Sequence, residues 1–269
     1  MPTSNKRKDF DVGLLTRFKW SVKRRGFLHT VRLGFLKAPR WLAGFMFDTI
    51  HDVDTRTNVE ICQMSVVGPT VALANRYQPT PPGVLKRIIA DLSIPYDKYV
   101  FIDYGSGKGR TLLIAAKFPF KHVIGVEFAF ELHSVASENI RRVRNLRRHC
   151  HSVDSVCVDA IEYTVPNEPA VIYFFYPFSS SLVCRVLDNL RASLSACPRD
   201  VIIINYEPMP GNPFEGAVDF SELRRTPDYT VYQNSISPEV RLTSRVRYAD
   251  GVQYLPNEIP TKPAMRSLV

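Results

Sequence analysis

The feature that most constrains this chain is the run Asp103-Tyr104-Gly105-Ser106-Gly107-Lys108-Gly109, which follows the apolar stretch Tyr99-Val100-Phe101-Ile102 directly. Consecutive large apolar residues suit a strand buried on both faces, as in a parallel sheet covered by helices. Glycine lets the main chain turn sharply and approach a ligand with no Cβ in the way. A helix predicted from Thr111 to Lys117 then offers the free N–H groups of its first turn to the space beyond the strand end. Asp103 sits at that strand end, where open α/β sheets bind their ligands.

The segments that follow repeat the pattern. His122 to Val126 reads as a second strand, and Leu132, Val135, Ala136, Ile140 and Val143 fall on one helical face. Ser155 to Val158 and Ala170 to Phe175 read as the third and fourth strands. After Ser179-Ser180-Ser181, Leu182, Val186, Leu190 and Leu194 recur every four residues, which predicts a serine-capped helix. Val201 to Ile204 is the fifth strand. This alternation predicts an α/β fold: a doubly wound, mostly parallel, Rossmann-like sheet. Past Phe220, Tyr229–Ile236 and Leu242–Tyr248 predict a terminal antiparallel hairpin at the sheet edge. Pro79-Thr80-Pro81-Pro82-Gly83 reads as a linker into a helix from Val84 to Leu92. Residues 77–269 are therefore expected to form the ligand-binding domain, and residues 1–76 a basic, partly helical extension.

Charge has to be located before it is interpreted. The formal net charge is +9, but residues 1–50 hold 11 Lys and Arg against 3 acids, while residues 51–269 are nearly balanced at 24 against 23. Apolar residues at helical spacing among these N-terminal cations (Phe18, Trp20, Phe27, Leu28, Val31, Phe35, Leu36) predict amphipathic helices broken near Gly26 and Pro39. Two readings stay open. The segment lies on an anionic membrane surface, an acidic partner or nucleic acid, or it packs on the domain with its cations solvated. A second basic cluster, Arg141, Arg142, Arg144, Arg147 and Arg148, suits the end of a helix, where the dipole favours cations. It could also meet an acidic partner.

A hydrophobic content of 45% with 23% charged residues excludes wholesale disorder. Five cysteines without a CxxC pair argue for reduced thiols, and neither they nor His149-Cys150-His151 predict a metal site. No apolar run suits a signal peptide or a membrane span, so a cytoplasmic protein, at most peripheral to a membrane, is expected.

Spacing separates two cofactor classes for the glycine loop. The dinucleotide fingerprint G-x-G-x-x-G would need its third glycine where Arg110 stands. Asp-x-Gly-x-Gly-x-Gly instead matches the cofactor loop of class I methyltransferases. An acid such as Asp103 serves a pyrophosphate poorly and the ammonium of S-adenosylmethionine well. Glu127, ending the second strand, can accept both ribose hydroxyls, a role that dehydrogenases share. Asp159 ends the third strand.

From about Tyr77 to Glu207 the chain resembles class I, Rossmann-like S-adenosylmethionine-dependent methyltransferases of bacterial type. It is most similar to a group with a Tyr-x-Pro-Thr-Pro segment, a Gly-Ser-Gly-Lys-Gly-Arg loop and a Phe-Asn-Pro-Phe-like motif. Here these are Tyr77-Gln78-Pro79-Thr80-Pro81, Gly105 to Arg110, and Phe175-Tyr176-Pro177-Phe178. The resemblance implies cofactor contacts from Tyr77, Thr80, Asp103, Gly105, Ser106, Gly107, Gly109, Glu127, Phe128, Asp159 and Ala160, the last two facing the adenine. It places substrate at Pro177 and Phe178, with Tyr176 as a catalytic residue. Tyr176 stands where amino-group methyltransferases carry an amide or acid, so a protein amine or a small molecule is favoured over a planar base as acceptor. Glu207, after the fifth strand, is a candidate general base. A cofactor-binding scaffold without catalysis and a nicotinamide-dependent oxidoreductase are the alternative functions.

Overall fold

The computed structural model describes residues 42–56, 65, 78–175, 179–207, 213–214, 217 and 219–234. Seven strands form one sheet: β1 (Val100–Tyr104), β2 (His122–Glu127), β3 (Val153–Cys157), β4 (Ala170–Phe175), β5 (Val201–Tyr206), β6 (Phe220–Arg225) and β7 (Tyr229–Asn234). Their spatial order is β3-β2-β1-β4-β5-β7-β6. The first five run parallel, while β7 pairs antiparallel with both β5 and β6. This is the Rossmann-like methyltransferase fold with its C-terminal antiparallel hairpin.

The helices are α1 (residues 42–51), α2 (Pro82–Ala90), α3 (Arg110–Ala115), α4 (Phe130–Arg142) and α5 (Ser180–Ala196). Proline at the start of α2 lacks only an N–H that the first turn would leave unpaired. At the start of α5, Ser179 Oγ accepts from the Leu182 amide at 3.4 Å, as its sequence predicts.

The central strands are apolar throughout because the pleat sends alternate side chains into two different cores. Phe101, Tyr173, Ile202, Ile204 and Tyr206 face α2 and α3, where they meet Leu85, Ile89, Leu112 and Leu113. Val100, Ile102, Tyr104, Ile172, Phe174 and Ile203 face α5, against Leu182, Val186, Leu187 and Leu190. Tyr104 and Phe174 stack across neighbouring strands with ring centroids 5.3 Å apart. The chain leaves β1 toward one face and β4 toward the other. The two strands are adjacent, so a crevice opens at their carboxyl ends, the switch point where such sheets bind ligands.

Sequence and structure differ at the hairpin. Its strands are Phe220–Arg225 and Tyr229–Asn234, and the inner one is inserted between β5 and β6. Phe220-Ser221-Glu222-Leu223-Arg224-Arg225 was not expected as a strand because it is the sheet's edge: its side chains are mostly exposed or half-buried, and a bulge falls between Glu222 and Arg224. The expected strand at 242–248 lies outside the described residues, as do residues 1–41 and the boundary expected after residue 76. Residues 42–56 of the expected extension are described, and Phe47 and Val53 join the core beside α2.

One position shows how little slack the central strands have. A Cβ on Gly125, in β2, would lie 2.6 Å from Leu112 Cδ1 and 2.8 Å from Ser106 Cβ. Gly125→Ala should therefore destabilise the fold by about 1–3 kcal/mol through overpacking, read as a lower midpoint of thermal unfolding. An unchanged midpoint would mean that the glycine loop can retreat from β2.

Candidate active site

The glycine loop is built from backbone that only glycine adopts without strain: Gly105, Gly107 and Gly109 have φ of 78°, 55° and 80°. The amides of Gly105 and Ser106 both donate to Val126 O, at 2.8 and 3.2 Å, which ties the loop to the end of β2. Glu127 adds a second tie. Its carboxylate accepts from the Gly107 amide at 2.8 Å and the Ala129 amide at 2.9 Å. Ser106 Oγ is buried without a hydrogen-bond partner among the described residues.

The three strand-end acids are all buried. Asp103 accepts from the hydroxyl of Thr111, in the first turn of α3. Burial pushes its carboxyl up to about 7, a rise opposed by the Thr111 bond and assisted by the negative charge of Glu127. Burial also carries Glu127 to about 7, against three backbone N–H donors that favour its charged form. Among the described residues neither acid meets a cation. Asp159 closes the turn after β3, with Oδ1 accepting from the Ile161 amide at 3.1 Å, and Ala160 beside it is buried. Phe128 is half-buried next to Glu127.

Thr80 is buried, and its hydroxyl meets that of Tyr173 at 2.9 Å. Tyr173 stands opposite Asp103 in the β1–β4 register, so the proline-rich segment is joined to the strand end beside the acid. Burial holds the Tyr173 phenol protonated. Glu207 follows β5 in a left-handed conformation, φ 49°, with its amide donating to Asp228 O. It contributes to the field at Tyr173, on the same rim as Asp103. The expected site residues Thr80, Asp103, Gly105, Ser106, Gly107, Gly109, Glu127, Phe128, Asp159, Ala160 and Glu207 thus all belong to the carboxyl-end rim of β1, β2, β3 and β5 or its flanking loops. Tyr77, Tyr176, Pro177 and Phe178 lie outside the described residues. Among the described residues no group of His, Cys, Asp and Glu could hold a metal ion.

Sequence reasoning missed a clamp beneath the loop. Lys108 and Arg110 are buried at the start of α3, where the helix dipole disfavours cations. Lys108 Nζ pairs with Asp54 at 2.8 Å. Arg110 donates from Nε to Thr55 Oγ1 at 2.6 Å and from Nη1 to Thr80 O at 3.3 Å, and its Nη2 lies 3.5 Å from Asp48. Asn139 of α4 completes the join. Its Nδ2 donates to Lys108 O and Asp54 O, both at 2.9 Å, and its Oδ1 accepts from the Asp54 amide at 3.0 Å. A signal was available: Asp48, Asp52 and Asp54 interrupt an otherwise basic N-terminal stretch, and two of them pair with the loop's cations.

No family model matches the chain, and no curated protein matches it by sequence. Solved structures similar to it include an RNA methyltransferase from Salinibacter ruber in complex with S-adenosyl-L-homocysteine, at 22% identity and TM-score 0.41, covering 61% of this chain and 96% of that one. Precorrin 8w decarboxylase from Methanobacterium thermoautotrophicum matches at 17% identity and TM-score 0.41, over 60% of this chain and 93% of that one. A dimethyladenosine transferase from Plasmodium falciparum matches at 14% identity and TM-score 0.41, over 59% and 62% respectively.

Removing one member of a buried ion pair strands its partner, at about 3–5 kcal/mol. Arg110→Ala should cost about 3 kcal/mol in denaturant unfolding, and Arg110→Lys, which keeps the charge but not the fork, an intermediate amount. Equal, small losses for both would show that the fork's three contacts are dispensable.

Proposed function

We propose that the chain is an S-adenosylmethionine-dependent methyltransferase. The observation that carries this reading is a pair of buried carboxylates, Asp103 and Glu127, with no cation beside either among the described residues, flanking a left-handed glycine loop at the sheet's switch point. A buried carboxylate of this kind is costly unless a ligand completes it. The donor set fits the cofactor part by part: Asp103 for the ammonium, Glu127 for the ribose hydroxyls, and the turn at Asp159-Ala160 for the adenine edge. Glu127 already accepts from three backbone amides, yet a carboxylate has about four lone-pair sites, so capacity for a hydroxyl remains.

When bound, this cofactor supplies a methyl group on a sulfonium, already a strong leaving group. The protein's work is then to bind, align and exclude water. The three glycines let main chain close on the ligand, and the amides of Gly105 and Ser106 hold the loop to β2. Thr80, fixed by Tyr173, borders the methionyl side near Asp103. On the acceptor side, Glu207 is the proposed base for a hydroxyl or a protonated amine, and Tyr176, Pro177 and Phe178 are the residues proposed to meet the acceptor. A protein amine or a small molecule is the favoured acceptor. Nucleic acid is the competing class, and one of the similar structures is named as an RNA methyltransferase.

Isothermal titration with S-adenosylhomocysteine should give saturable binding, with none for NADH in parallel; binding of NADH alone would overturn the assignment. Asp103→Asn and Glu127→Gln should each weaken binding about 10–100-fold, the worth of a hydrogen bond to a charged group. Affinity should also fall as pH drops below about 7, because both carboxyls, raised to about 7, then take up protons and Asp103 loses the charge that an ammonium needs. Above that pH it should level off. Constant affinity from pH 5 to pH 8 would remove these acids from the binding site.

A further inference from the structure

Helix α1 has two unlike faces. Gly44, Phe47 and His51 are buried against the domain, whereas Leu42, Phe45, Met46 and Ile50 are 49%, 41%, 51% and 49% exposed. The exposed four fall at i, i+3, i+4 and i+8, a single apolar stripe along the helix. The hydroxyl that interrupts it, on Thr49, is turned back onto Phe45 O at 2.9 Å. A contiguous exposed apolar face of this kind marks an interaction surface.

What surrounds the stripe is basic. The Arg144 amide donates to His51 O at 2.9 Å and Asn145 Nδ2 to Ile50 O at 3.1 Å, so the loop after α4 seats its arginines at the end of the stripe. Arg142, Arg144, Arg147 and Arg148 are all exposed there. Asp52 offsets this charge only weakly, at 3.7 Å from Arg144 with both side chains mostly exposed. Among the described residues Arg147 has no acidic partner, and Arg142 shares Glu138 with Arg141. Arg56 covers the ring of Phe45 at 4.8 Å. Immediately before the helix in the chain, residues 1–41 add 11 Lys and Arg against two acids, Asp9 and Asp11.

We propose that the exposed face of α1 docks on an anionic phospholipid surface, with Leu42, Met46 and Ile50 entering the headgroup–acyl boundary and the exposed arginines at 142–148 meeting the lipid phosphates. An aliphatic stripe ringed by cations is the pattern of a helix lying in a membrane interface. Nucleic acid matches it less well, because single-strand binders interleave aromatic platforms with their cations, and the one aromatic residue of this stripe is already covered by Arg56. The inference stands apart from the methyltransferase reading and uses none of its residues.

The test is co-sedimentation of the full chain with vesicles of phosphatidylcholine mixed with phosphatidylglycerol, and with vesicles of phosphatidylcholine alone. Binding to the anionic vesicles only is expected, weakened by added salt. The triple variant Leu42→Ser, Met46→Ser, Ile50→Ser should lose roughly tenfold or more in vesicle affinity while keeping its thermal midpoint, since these side chains touch solvent in the fold. A wild type that ignores anionic vesicles overturns the proposal. So does a triple variant that binds them as the wild type does, which would assign attachment to the basic residues alone. Self-association in light scattering without vesicle binding, abolished by the same variant, would make the occupant a second copy of the chain. Tight RNA binding without vesicle binding would make it a nucleic acid. Either result also overturns the lipid assignment.

Discussion

The site depends on a backbone loop held from two opposite sides. From the sheet, Glu127 and Val126 O fix the amides of Gly105, Ser106 and Gly107. From beneath, Lys108 and Arg110 are fixed by Asp54, Asp48 and Thr55. A loop of three left-handed glycines has high conformational entropy in the unfolded chain. Neither set of ties alone would determine the course of the loop. Arg110 extends the effect by also holding Thr80 O, so the proline-rich segment, the loop and the strap at 48–55 form one buried polar network. Hydrogen bonds in such a network polarise and strengthen one another. Asn139, using both ends of its amide between the strap and the loop, is the member that closes it.

The number of the parallel strands was legible because their signals are local: apolar runs bounded by turns, helices with period near four, a serine cap at Ser179. The glycine loop and its strand-end acids were legible because three closely spaced glycines after an apolar run, and acids at the ends of such runs, are local features of the sequence. What escaped was set by tertiary contact. Asn139 lies in a helix whose apolar residues alone suggested its inner face, yet it is buried because its amide spans two other segments. Tyr173 looked like one more apolar strand residue, and only the register beside Asp103 brings its hydroxyl to Thr80. The outer hairpin strand escaped for the opposite reason: an edge strand needs only one bonded neighbour and little burial, so Phe220–Arg225 has a composition close to that of a loop.

The same view explains why charge was easy to count and hard to interpret. The excess of cations in the first 50 residues left two readings open, a segment that meets an outside partner or one packed on the domain with its cations solvated. Residues 42–56 pack on the domain. Asp48, Asp54 and Thr55 lie at the end of that basic stretch and serve the loop, so the chain's N-terminal part is joined to the candidate site through buried polar contacts. Gly44 belongs to this arrangement as well, because a Cβ there would lie 3.2 Å from Arg110 Nη1. Its small size lets α1 come down onto the guanidinium.

Helix α1 therefore couples two surfaces through its own thickness. Its inner face, through Gly44, Phe47 and Asp48, meets the guanidinium that orders Thr80, and its outer face carries the apolar stripe. A helix is stiff over so short a length, with successive turns tied by backbone hydrogen bonds. A force or contact applied to the stripe is thus borne by the elements that shape the glycine loop. Docking that left the helix in place would leave the loop as it stands. Docking that tilted the helix would have to break the Arg110–Asp48 contact, whose cation is almost wholly withdrawn from water. The cost of exposing or stranding that cation sets a barrier against tilting, so the proposed docking would leave the site unaltered.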